Sequence, residues 1–91
     1  MFKGDAKMLE KTQFFSSFEI ERAVINEVLE EVYKALKEKG YNPINQLVGY
    51  LVTGNPIYIS SYKNSRNKIL GIERNKIILA LLESYLEVWN V

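Results

Sequence analysis

The chain has 91 residues, 47% of them hydrophobic, with a net charge of +1 and neither Cys nor His. That length suits one small domain, at a size where only roughly 60–70% of the unfolded surface becomes buried. The balance excludes a global field toward nucleic acid or membrane, disulfide and thiolate chemistry, and the commonest general base and metal ligand; no run of roughly 18 apolar residues is present to span a bilayer.

Residues 1–14 show no periodicity and read as a flexible N-terminal arm. The opening "MFKGDAKMLEK" is too mixed for a signal peptide, so a cytoplasmic protein is expected. "FSSFEI" marks the first helix start. Ser16 stands three residues before Glu19, the spacing of a capping box, and Phe15 and Ile20 hold the positions of a hydrophobic staple. Ile25, Val28, Leu29, Val32 and Leu36 then recur at helical spacing, opposite Glu21, Glu27, Glu30, Glu31, Lys34 and Glu38. Glu30 and Lys34 are oriented for an i,i+4 pair. Gly40 can adopt the left-handed conformation that closes this helix.

"GYNPINQLVGYLVTGNP", residues 40–56, carries Gly and Asn-Pro at both ends and no charge between. Asn42 can cap, and Pro43 can occupy the first helical position, where its missing N–H is not needed. A second helix over Pro43–Thr53 is predicted, ended by Gly54 and barred from continuing by Pro56. Without charge it is expected to lie buried, within the monomer or in a dimer, with Asn45, Gln46 and Thr53 requiring partners.

"IYISSY" reads as an extended connector. "SSYKNSRNKIL" reads as a third helix, capped by Ser60 or Ser61 and interrupted by Gly71. "IERNKIILALLESYLEVW" reads as a long final helix. Its run Ile77–Leu82 is apolar on every face, which implies burial on several sides. A dimer interface and a central place in a monomeric bundle both provide that. The dimer is the simpler in so small a domain, and it puts Ile77, Ile78, Leu81, Leu82 and Tyr85 at the interface. The expectation is all-α: a compact bundle of four to five short helices over 15–91, one domain, forming a homodimer.

Convergent catalytic groups are absent from the sequence. Asp5 is the only aspartate, no E-x-x-H can exist, and the glycines match no phosphate-binding loop. No enzyme and no cofactor are expected. The one charge cluster is Lys63, Arg66, Lys68, Arg74 and Lys76, against a single acid, Glu73. It is either a solvated helix surface or a site for an anion or acidic partner, with Arg66 and Arg74 suited to bidentate contact. A small helical nucleic-acid-binding protein using residues 63–76 is the alternative, weakened by the lack of aromatic residues apart from Tyr62. A purely structural dimerisation module is a third reading.

"EVYKALKEKGYNPINQLVGYLVTGNPIYISSYKNSRNKILGIER", Glu31 to Arg74, resembles the IreB/ReoM family of small regulatory phosphoproteins of Gram-positive bacteria; "LKEKGYNPINQLVGYLVTGNPIYI" is its most specific part, and the likeness extends over about residues 24–86. The resemblance implies a cytoplasmic all-helical homodimer that is a substrate of a membrane Ser/Thr protein kinase. It implies control of Clp-dependent degradation of MurA, hence of peptidoglycan synthesis, relieved by phosphorylation. MurA or Clp protease components are then the implied partners. The family's arm reads Thr-Met/Val-Lys/Arg-Phe. "TQFF" matches it at Thr12 and Phe15, which makes Thr12 the implied phosphosite, while Leu9 stands where some members have a second threonine. Lys63, Arg66, Lys68 and Arg74, from the charge cluster, are the expected partner-binding bases. Phosphate on Thr12 would fold onto Arg66, Arg74 or Lys63, or extend the first helix by favourable dipole contact. The chain departs from the family at Ile69-Leu70-Gly71, usually Ile-Arg-Lys, and at Asn75-Lys76, usually Asp-Glu.

Overall fold

The computed structural model describes residues 17–87. The expected arm of residues 1–14, with Thr12, and the Ser16 cap with its Phe15 staple lie outside them. The described chain is helical and without strands: α1 (Ser17–Glu38), α2 (Pro43–Thr53), two short 3-10 turns (Pro56–Tyr58 and Tyr62–Asn64), α3 (Ser65–Leu70) and α4 (Arg74–Glu87).

Helix α1 is the spine. Its stripe Ile25, Val32, Ala35 and Leu36 is buried, and Val28 and Leu29 pack against the same core. Tyr50 of α2, Ile59, Ile69 of α3, and Ile77 and Ala80 of α4 close over it, with α3 making the most extensive contact with α1. Ser65 is the one buried polar residue among those described, and its Oγ donates to the Tyr62 carbonyl at 2.7 Å.

The Gly and Asn-Pro pairs act as one device used twice. Gly40 is left-handed (φ 87°), and the bonds Tyr41 N–H to Leu36 O and Gly40 N–H to Lys37 O close α1 in a Schellman motif. Asn42 Oδ1 then accepts from Asn45 N–H at 3.1 Å and Pro43 takes the first position of α2. Gly54 is left-handed (φ 75°) and its N–H bonds Tyr50 O at 2.7 Å. Asn55 Oδ1 next accepts from Ile57 N–H at 3.0 Å and Pro56 opens the first 3-10 turn. The segment read as an extended connector therefore contains a helical turn, because an Asn-Pro cap nucleates one even where no full helix follows. Ile59, with φ −108° and ψ 122°, is extended.

One further expectation is corrected. The third helix does not begin at Ser60 or Ser61. Ser60 Oγ does accept from Tyr62 N–H at 3.0 Å, but Lys63 and Asn64 then take positive φ (54° and 61°), and α3 starts only at Ser65. Within the single chain, α2 buries Tyr50, 2% exposed, whereas Ile44 is 60%, Val48 53% and Val52 76% exposed. One uncharged face of α2 is open. Two of its polar members, Gln46 and Thr53, have side-chain partners. Gln46 Nε2 donates to Tyr58 O at 2.9 Å, and Thr53 Oγ1 donates to Gly49 O at 2.7 Å.

Close approach explains two glycines. A Cβ on Gly49 would stand 2.6 Å from the Tyr58 ring, so α2 lies directly on the turn that follows it. A Cβ on Gly54 would stand 2.7 Å from the Arg74 guanidinium carbon. Gly40 has nothing within 4 Å of that position. Gly40→Ala should therefore carry only the left-handed backbone penalty, about 1–2 kcal/mol, and Gly54→Ala should lose more in urea unfolding because Arg74 is displaced as well. In an Arg74→Ala background the two losses should converge; equal losses in the native background would contradict the contact.

Candidate functional site

The five bases between 63 and 76 do not form a patch. Lys63 Nζ lies 3.1 Å from Glu38 Oε1 and Lys68 Nζ 3.0 Å from Glu31 Oε1, so these two share one hollow along α1. Arg66 Nε donates to Ile59 O at 2.8 Å. Arg74 Nη1 donates to Leu51 O at 3.0 Å, beside Gly54. Lys76 Nζ pairs with Glu21 Oε2 at 2.8 Å, at the other end of α1. The carboxylates expected to form a solvated face thus receive the bases, with Arg22 of α1 bonded in turn to Glu83 at 2.9 Å.

Arg66 and Arg74 terminate backbone. Arg74 places its charge at the C-terminal end of α2, where unpaired carbonyls and the negative end of the helix dipole favour a cation. Helix α2 has no basic residue of its own in its last turn, so Arg74 supplies that complement from α4. Arg66 holds the extended residue Ile59 against α3.

The positive-φ pair is clamped from outside. Lys63 bonds Glu38, and the amines of Lys39 and Lys63 lie 5.1 and 5.4 Å from the centre of the Tyr62 ring. The hydrogen bond from Lys63, then that from Tyr62, holds the Glu38 carboxyl below its ordinary range. The hydrogen bond to Glu38 pushes the Lys63 amine above its own, and the bond to Glu21 does the same for Lys76.

Apolar side chains are exposed as well. Of the expected interface residues, Ile77 is fully buried in the chain's own core, because it faces α1. Ile78, Leu81, Leu82 and Tyr85 are 39–62% exposed on the other sides of α4. Leu81 also borders a groove of about 390 Å³ between α1, α2 and α4, with Tyr33, Ile44, Leu47 and Val48 on its walls and Glu30 the only charged residue lining it. The α2 side of this groove is absent from the sequence-based interface. The signal was present in the i,i+4 row Ile44, Val48, Val52, on a helix with no charge to give it a solvated face. No helix among the described residues is long and apolar enough to cross a membrane.

A family model described as IreB regulatory phosphoprotein matches residues 10–87, which includes Lys11-Thr12-Gln13 as well as every described helix.

The ion pairs set a pH window. The lowered Glu38 pKa contributes stability that is present above the unfolded carboxylate range and lost as pH falls through the folded value. The raised Lys63 and Lys76 pKa values contribute stability that is present below the unfolded amine range and lost as pH rises through the folded values. With no His, urea-unfolding stability should be flat between about pH 6 and 9 and fall on both sides. Glu38→Gln should flatten the acid limb and shift the Lys63 and Asn64 backbone resonances; an acid limb unchanged by Glu38→Gln would refute this assignment.

Proposed function

The chain belongs to the IreB regulatory phosphoprotein family, and from that premise we propose that it is a non-enzymatic cytoplasmic adaptor, phosphorylated on Thr12 by a membrane Ser/Thr kinase. In this reading the unphosphorylated homodimer participates in Clp-dependent turnover of MurA, and so in the control of peptidoglycan synthesis. Phosphorylation relieves that control. The observation that carries the reading is the match itself, which begins at residue 10 and therefore takes in Thr12.

The surface chemistry supports an adaptor. The bases of 63–76 are engaged with carboxylates and carbonyls of the same chain, and α2 and α4 expose large apolar side chains such as Val48, Val52, Leu82 and Tyr85. Such a surface suits protein contact, by a second copy across the Leu81 groove and by a client. It does not suit a phosphate backbone, which needs a continuous basic stripe.

Distance constrains the switch. Helix α1 has 22 residues, so it is about 33 Å long. Thr12 precedes Ser17 by five residues, a reach of at most about 17 Å. Lys63, bonded to Glu38 at the far end of α1, is met by a phosphate of its own chain only if the residues before Ser17 run nearly fully extended along the helix.

Incubation with the catalytic domain of the host's Ser/Thr kinase should add one phosphate, located at Thr12 by peptide mass spectrometry and abolished by Thr12→Ala. Phosphate on Ser60, Ser61 or Ser65 instead would defeat the Thr12 assignment. For the dimer, light scattering at micromolar concentration should give twice the chain mass. Val48→Glu and Leu81→Glu should each give the monomer mass with unchanged helical circular dichroism, since both side chains are exposed in the single chain. A native chain that runs as a monomer would remove the dimer from the proposal.

A further inference from the structure

Charge is split along α1. The stretches 30–39 and 63–68 carry six bases against three carboxylates, whereas 17–27 and 73–87 carry six carboxylates against three bases. Ion pairs assign the stretches to opposite ends: Lys63 and Lys68 meet Glu38 and Glu31 at one end of α1, and Lys76 meets Glu21 at the other. At the C-terminal end of α1 the fold gathers four lysines from two segments. Lys34, Lys63 and Lys68 line a hollow of about 240 Å³ with Glu31, Glu38 and Ala35. Lys39 stands at its edge, its amine 5.1 Å from the centre of the Tyr62 ring, which the Lys63 amine approaches to 5.4 Å. Lys63 and Lys68 have close carboxylates, at 3.1 and 3.0 Å. Lys34 reaches Glu30 only at 3.9 Å, and Lys39 has no carboxylate partner among the described residues.

We propose that this end of α1 docks an acidic segment of another protein, with Lys34, Lys39, Lys63 and Lys68 meeting its carboxylates and Tyr62 giving an apolar face between them. The proposal rests neither on Thr12 nor on the dimer. Charge selects the occupant. Four amines surround two carboxylates, so the surface keeps a positive excess that the chain does not neutralise itself. The dipole of α1 favours cations at its C-terminal end, but Lys63 and Lys68 come from outside that helix. The residue types then separate an acidic protein from a phosphate. No arginine lines the hollow, so the planar fork that matches phosphate is missing. Glu31 and Glu38 line the hollow itself and repel a compact dianion seated in it. Carboxylates spread along a polypeptide avoid that repulsion, because each can take one amine at the rim. The pairs of Lys63 and Lys68 are partly exposed, and such pairs exchange readily for a partner's carboxylate. Docking of this kind is faster at low salt and weakens as salt rises.

The test is an NMR titration of the full chain with three probes at low salt: capped hexaglutamate, inorganic phosphate and a short DNA duplex. It is read at the lysine ε-methylenes and the Tyr62 ring. Hexaglutamate should move Lys34, Lys39, Lys63, Lys68 and Tyr62 together and saturably, with Lys76 unmoved at the other end of α1. Lys34→Glu/Lys39→Glu leaves the close pairs of Lys63 and Lys68 intact and should weaken peptide binding about tenfold, whereas Lys37→Glu/Lys76→Glu, of equal net charge, should change it by no more than about twofold. Lys37 serves as the control because its amine lies over the Tyr33 ring, on the side of the Leu81 groove. No saturable movement with millimolar peptide, or equal weakening by both double variants, overturns the surface. Tighter binding of phosphate or duplex than of hexaglutamate at the same resonances overturns the acidic-protein assignment. Helical circular dichroism checks the variants; if either loses its fold, the native chain's response to the three probes decides between these outcomes.

Discussion

The contact between Arg74 and the end of α2 is the constraint on which the rest of the surface depends. Helix α2 has no charge of its own. Its C-terminal carbonyls are met by a guanidinium from the first residue of α4, over a glycine that must lack a side chain for the guanidinium to fit. The same glycine is left-handed, so one residue both ends α2 and makes room for the group that caps it. The start of α4 is thereby fixed against the end of α2. With Ile77 and Ala80 turned onto α1, the remaining faces of α2 and α4 come together as the two walls of the Leu81 groove.

Electrostatics and hydrophobicity are divided between different surfaces. Every base between 63 and 76 has a partner in the chain, and Glu21, Glu31 and Glu38 of α1 provide three of those partners. These contacts are solvent-exposed or nearly so. Pairs of that kind contribute little to stability and more to register. They set how α3 and α4 lie along α1.

The local devices were legible from the sequence because each depends on neighbours along the chain. The apolar stripe of α1, the Asn42–Pro43 start of α2, the Gly40 and Gly54 stops and the break at Gly71 are fixed by backbone sterics and by side chains two to four residues apart. The resemblance carried by residues 31–74 led to the family that the match over 10–87 shows. Partners distant in the chain could not be read that way. Nothing near Lys63 or Lys76 in sequence announces Glu38 or Glu21, and nothing near Arg74 announces the end of α2. A run of bases therefore looked like one site, although its members point to three parts of the molecule. The apolar run Ile77–Leu82 likewise did not say which of its faces the chain covers itself. That was decided when α4 crossed α1 with Ile77 and Ala80 inward, because a helix can turn only one stripe toward a single neighbour and must leave the others for something else.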